Sequence, residues 1–344
     1  MGKITTMNKN LILIVTALAL GFSGAGCKKS NKSNQNADLT PPAGPVELKL
    51  KWPASEAIVQ DMEMKMNMVL AIPGQPQPVQ QNMTMKMGYS LKVLNAYTDG
   101  GHELEMEFLN AQLGMTMGGK SMLDYDSTKK AASDQDNPVA DMFSQIIGSK
   151  IQYYLNASND VTRVEGVEDL MHRLSSGGPN DPLASLKGSM FSKERFKEQI
   201  MNANRYLPSK PVQPGDSWPI KQSMDLGMLG NLTTDFECTF KNWEKHADRT
   251  CARVEFSGNF SSTPSTNAGP SGISMSILDG NSTGVFWFDP DLGMTVDTSI
   301  NQDIKMAMNM PVNISRRQGA PAYSQTITNQ MTQAMTVKLV SVQK

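Results

Sequence analysis

Met62, Met64, Met66 and Met68 alternate with Glu63, Lys65 and Asn67 in the stretch MEMKMNM. Alternate side chains of a strand share one face at a spacing of about 6.8 Å, so four thioethers would stand in line on one side. Met83, Met85 and Met87 repeat the arrangement, as do Met306, Met308 and Met310. The chain holds 26 methionines, although Val and Ile usually serve strand cores better. Three explanations compete. Thioethers are soft donors that bind Cu(I). Unbranched, pliable Met also makes an apolar wall for lipid or another irregular ligand. Alternatively, Met fills the core, each fully buried side chain contributing about 1.5–3 kcal/mol. The stripes are spread along the chain with no His among them, which suits one localised copper site poorly. The ten methionines are therefore candidate lining for a lipid or other apolar ligand in a concavity, with Cu(I) binding or buffering as the alternative and plain core filling as the competing structural reading.

Other reactive groups are sparse. The three histidines are His102, His172 and His246. His102 and His246 sit at hairpin tips and read as exposed turn residues; His172, in DLMHRLS, reads as the solvated face of a helix. The chain has no G-x-S-x-G, H-E-x-x-H, Walker loop or C-x-x-C. A hydrolase needs a nucleophile with a positioned base, so the expectation is a non-enzyme with no cofactor and no metal site. Asp289-Pro290-Asp291 with Gly293 could suggest Ca²⁺, but a calcium loop needs more oxygen ligands and the same residues are good turn chemistry. Trp218 and Asp216 could form a binding lip or, more simply, a packing anchor with the Asp and Ser217 bonding turn amides. A formal net charge of -1 gives no basic field for a nucleic-acid partner.

The elements that would position these residues are strands. Period-2 alternation recurs in MTMKMGYSLKV, TDFECTF, ARVEF, KMAMNM and MTVKLVSV, the pattern of half-buried antiparallel sheet. Helical patterns cluster at 139–148, 166–175 and 184–205, the last with Ser192 as N-cap. The fold class expected is α+β, mostly antiparallel β. The strand regions also resemble each other. Residues 82–108 align with 231–256 with one gap, matching Asn82 to Asn231, Thr84 to Thr233, Lys92 to Lys241, Asp99 to Asp248, Glu107 to Glu255 and Phe108 to Phe256. A second match joins 150–164 to 284–298. Two related long-stranded β units follow, 46–165 and 207–344, forming an open barrel or half-barrel with a helical segment at 166–206 between them. In the second unit's hairpin, Cys238 should face Val254 while Cys251 falls on the polar face, roughly 10 Å along the strand. That exceeds disulfide reach, so two unpaired thiols are expected, unless a β-bulge near the turn changes the parity.

The N-terminus carries Lys3, Lys9 and the apolar run Leu11 to Leu20, too short to span a bilayer but of signal-peptide length. The following Ala25-Gly26-Cys27 resembles the lipobox of bacterial lipoproteins, with Gly24 where Leu is usual. Met1-Gly2 with Thr6 also fits a myristoylation pattern, but an export signal follows at once. The expectation is a signal peptide over 1–26, a lipid on Cys27 holding the chain to the membrane, and a polar tether over 27–45. Lys28 lacks the Asp that resembles inner-membrane retention, which favours the outer membrane or cell surface. Asp99-Gly100, Tyr125-Asp126-Ser127, Asn159 to Gly166 and the junction LPSKPVQPGDSW occur in an order that resembles a bacterial exported-protein family, domain of unknown function 6263. Asn159-Asp160 stand where that family has Gly. The resemblance implies an envelope location and no known activity.

Overall fold

A computed structural model describes residues 41–53, 56–71, 75–129, 138–174, 191–225, 231–263, 274–312 and 323–343. The signal peptide, Cys27 and the tether up to residue 40 lie outside the described residues.

Alternation becomes strand wherever it occurs. The first meander comprises β1 (Ala57–Ala71), β2 (Val79–Ala96), β3 (His102–Met117), the short β4 (Lys120–Asp126), β5 (Lys150–Leu155) and β6 (Val161–Glu165). The second comprises β7 (Ser217–Asp225), β8 (Asn231–His246), β9 (Arg249–Thr263), β10 (Ser274–Asp289), β11 (Met294–Val312) and β12 (Tyr323–Gln343). All pair antiparallel in one sheet of order β6-β5-β3-β2-β1-β12-β11-β10-β9-β8-β7, with β4 on the distal half of β3. Spatially, β1-β2-β3-β5-β6 and β7-β8-β9-β10-β11 run in the same order, and β12 joins them. The sheet is open, since β6 and β7 are its edges. Among the described residues three helices interrupt it: α1 (Pro138–Ile146), α2 (Val167–Leu174) and α3 (Lys193–Arg205). Ser192 caps α3, its hydroxyl accepting from the Arg195 amide at 3.2 Å, which satisfies one of the helix's free donors.

Two contacts show that the sheet is strongly curled. In a flat sheet β3 and β9 would lie six spacings apart, about 29 Å. Yet Phe196 of α3 packs on Phe108 of β3 at 6.5 Å between ring centroids, and Tyr206, just past the same helix, packs on Phe256 of β9 at 5.7 Å. Ten helical residues cover only about 15 Å. The second contact is an extended arm before β1. Its Trp52 indole donates to Asn159 Oδ1 at 2.8 Å and Asn159 Nδ2 donates to the Leu50 carbonyl at 3.3 Å. The adjacent Lys51 amide donates to the Gly293 carbonyl at 2.9 Å. Asn159 is in the β5–β6 turn and Gly293 in the β10–β11 turn, about 24 Å apart across a flat sheet. The arm also bridges Val46 to Val212 in the junction, so it straps one end of the trough.

The two clamped turns are built alike. Asn156 Oδ1 accepts from the Ser158 and Asp160 amides, each at 2.9 Å, and Asp289 Oδ1 accepts from Asp291 and Leu292 at 2.8 and 3.1 Å. Each turn ends on a positive φ, 63° at Asn159 and 69° at Gly293. Asn tolerates that region, which accounts for its standing where the family has Gly. Asp289 thus serves as a turn cap, and its other oxygen accepts from Arg249 Nη1 at 2.6 Å.

The β8–β9 hairpin corrects the expected cysteine geometry. The hairpin closes on the pair His246–Arg249 and skips one residue between Phe240 and Asn242, so Cys238 faces Phe256 rather than Val254, and Cys251 faces Glu244. Cys251 keeps the parity of Arg253 and Glu255, as expected for the polar face, yet it is buried there, its thiol reaching the His246 carbonyl at 3.9 Å. No disulfide joins the two cysteines, since the partner of Cys238 is five residues from Cys251, about 17 Å along β9.

Candidate functional site

The methionine stripes meet on one face. Met62, Met64 and Met66 of β1 pair with Met87, Met85 and Met83 of β2, and Met64 and Met68 pair with Met335 and Met331 of β12. Beyond β12, Met306 and Met308 of β11 share this face with Ile300 and Ile304, which pair with Met335 and Met331. Met64, Met66, Met68, Met83, Met85, Met306 and Met308 are buried, while Met62 and Met87 are partly buried against the same core. Met310 lies in β11, its side chain outside the described residues. The stripes are therefore one continuous thioether field over β2, β1, β12 and β11, and the protein covers it.

Polar side chains that alternation alone would have made apolar are set into this field. Gln60, Gln81, Gln302, Asn329 and Gln333 have the same inward parity as the methionines and are 1–6% exposed, and none of their side-chain carbonyl oxygens has a hydrogen-bond partner. Gln333 pairs with Gln302 on one side and Met66 on the other; Met68 pairs with Gln81, and Met306 with Asn329. Gln81 spends its amide nitrogen on Met115 Sδ at 3.5 Å. Sequence reasoning passed over all five, although their parity was readable: Asn329, Met331, Gln333 and Met335 alternate on β12. Deeper in the same core, the Tyr153 hydroxyl reaches Met106 Sδ at 3.9 Å, and burial pushes its pKa up.

The histidines are less exposed than expected at two of three positions. His172 is exposed on α2. His102 is half-buried, and burial lowers its pKa. His246 is stacked on Trp287 at 4.2 Å between centroids, with Nε2 3.1 Å from Asp297 Oδ2, and Trp287 donates in turn to Glu244. His246 at the hairpin tip thus contacts Trp287 of β10 and Asp297 of β11 across the neighbouring strand β9. Trp218 packs against the core and donates to the Tyr206 carbonyl at 3.1 Å, while Asp216 accepts from the Gln213 amide at 2.9 Å. Ser217 bonds the Thr239 hydroxyl, not a turn amide. Among the described residues, no cluster of three or more His, Cys, Asp or Glu could hold a metal ion. No helix among them is long and apolar enough to cross a membrane.

Residues 99–295 match a family described as one of unknown function, DUF6263. The chain belongs to that family. No curated protein matches it. Among solved structures, it is similar to lipovitellin, in a study of lipid–protein interactions, at 6% identity and a TM-score of 0.40 over 85% of this chain; it spans 26% of that chain. It is also similar to DynF of the dynemicin biosynthesis pathway of Micromonospora chersina, at 6% identity and 0.16, covering 91% of this chain and 96% of that one. OccK7 of Pseudomonas aeruginosa gives 8% identity and 0.22, with 83% and 99% covered. Likenesses of this size say nothing about what this family member binds.

Proposed function

We propose that the protein is a non-enzymatic component of the bacterial envelope, lipid-anchored through Cys27, whose Met-rich interior shelters the apolar part of an amphiphile. The observation that carries the reading is the set of five buried, unpartnered side-chain carbonyls inside the thioether field. Each such group costs about 1–3 kcal/mol when left unsatisfied, and a core that only had to be stable would hold Leu or Val at those positions. A guest with an apolar body and hydrogen-bond donors suits both the pliable methionines and the waiting acceptors. The export signal and the lipobox-like Ala25-Gly26-Cys27 support the location.

A second reading has its own observation. Met85, Met64 and Met335 stand in one rank on three adjacent strands, about 4.8 Å apart, an arrangement that could bring three soft donors to one Cu(I). Native mass spectrometry of protein purified from its own envelope separates the two readings. The expected result is an added amphiphile mass that disappears in Gln302→Leu/Gln333→Leu. Copper mass lost in Met64→Leu would establish the second reading instead, and bare polypeptide mass in every preparation would overturn both. Met64→Leu itself should lose less than about 1.5 kcal/mol, because the volumes nearly match.

A further inference from the structure

The opposite face of the same strands carries a groove of about 510 Å³. Its floor is the backbone at Met83, Met66, Gln333 and Gln302, whose side chains point inward. One wall is the rank Thr84, Lys65, Ala334, Asn301 and Thr283, each paired with the next across β2, β1, β12, β11 and β10. The other is the rank Asn82, Asn67, Thr332, Asp303 and Asn281, paired across the same five strands. The groove thus runs across the strands for about 19 Å, with walls about 7 Å apart.

Solubility would be served at these outward positions by alternating Lys and Glu, yet the walls hold four Asn and three Thr. The two charges are of opposite sign: Lys65 pairs with Glu63 at 3.1 Å, and Asp303 accepts a hydrogen bond from the Gln330 amide at 3.3 Å. Asn82 reaches Thr116 at 3.4 Å, and the rest of the wall presents neutral donors and acceptors side by side. A nucleic acid would require a row of cations for its phosphates. An added peptide strand requires a free sheet edge, whereas the floor backbone here is already bonded within the ladder. What matches a long, narrow double row dominated by amides and hydroxyls, with one cation and one anion that leave it without net charge, is a chain of neutral hydroxyl groups.

We infer that this groove binds a neutral glycan chain laid across β2, β1, β12, β11 and β10. The inference is independent of the interior ligand, which lies on the other face. The test is a titration of isotope-labelled protein with neutral hexasaccharides of glucose and of N-acetylglucosamine, read by NMR. At least one should give saturable shifts at the side-chain amides of Asn67, Asn82, Asn281 and Asn301. Asn67→Ala/Asn301→Ala should weaken that binding at least tenfold with an unchanged melting temperature, since both side chains are exposed, whereas inward Met64→Leu should leave it unchanged. The absence of shifts with every hexasaccharide, or equal affinity in the double Ala variant, would overturn the assignment.

Discussion

Asn159 does three jobs at once: it holds a positive φ, accepts from the Trp52 indole and donates to the Leu50 carbonyl. Asn159→Ala should therefore lower unfolding free energy by about 2–3 kcal/mol, because two buried groups lose their partner and Ala adds strain in the left-handed region. Asn159→Gly removes only the bonds and should fall between Ala and wild type in urea denaturation; a Gly variant as stable as wild type would show that the side-chain bonds contribute nothing. Cys238 offers a pH prediction. Burial pushes its thiol up to about 12 from an ordinary 9.0, and burial also raises Tyr206, whose ring lies nearby in the core. In that window the folded state keeps a proton that the unfolded state has lost. The stabilisation is thus complete below about pH 9 and declines as pH rises towards 12. Cys238→Ala should flatten the loss of stability between pH 9 and 11 relative to wild type, whatever its effect at neutral pH. The same burial should keep both native thiols unlabelled at pH 8 while the unfolded, unreduced chain labels twice.

At the scale of elements, the two long hairpins turn by different chemistry. The β2–β3 turn uses Gly100 at φ 85°, whereas β8–β9 closes through Ala247 and Asp248 at φ 51° and 64°, between the paired His246 and Arg249. Two positive φ values in a two-residue loop define a type I′ turn, which favours Asn-Gly. Ala pays for the conformation with about 1 kcal/mol. Ala247→Asn/Asp248→Gly should accordingly raise stability by about 0.5–1.5 kcal/mol in thermal or urea melts, and a loss would mean that the turn is not I′ in solution. This hairpin also marks how far the sequence could be read. Strand alternation, the Ser192 cap and the Asp289 turn are local patterns, and each was legible. The skipped residue at Lys241 was not, because a bulge leaves no hydrophobic signature, and the skip puts Trp243 of β8, rather than Asn242, on the inward face beside Phe240. Methionine parity was legible but its company was not: Gln302 and Gln333 read as ordinary polar residues until cross-strand register sets them beside Met66.

At the scale of the molecule, the least legible feature is the joining of the two meanders through β1 and β12, the first and last strands, which pair over 15 positions of β1 in the middle of the open sheet. No local signal announces a partner that far along the chain, and such long-range pairing makes folding slow. The curl depends on contacts that cross the trough, and the arm is the most concentrated of them: Leu48 and Trp52 are buried, Lys51 bonds Gly293, and a Cβ on Gly293 would lie 2.3 Å from the Lys51 side chain. Trp52→Ala removes the indole and strands Asn159, and should cost about 3–5 kcal/mol. The distribution of that loss distinguishes a strap from a local plug. If the arm holds the two clamped turns together, hydrogen exchange should accelerate at residues 156–160 and at 290–293, which lie far apart along the sheet, while the β1–β12 ladder retains its protection. Faster exchange at 156–160 alone would mean that the sheet curls without the arm, with the α3 and Tyr206 contacts sufficient to bend it.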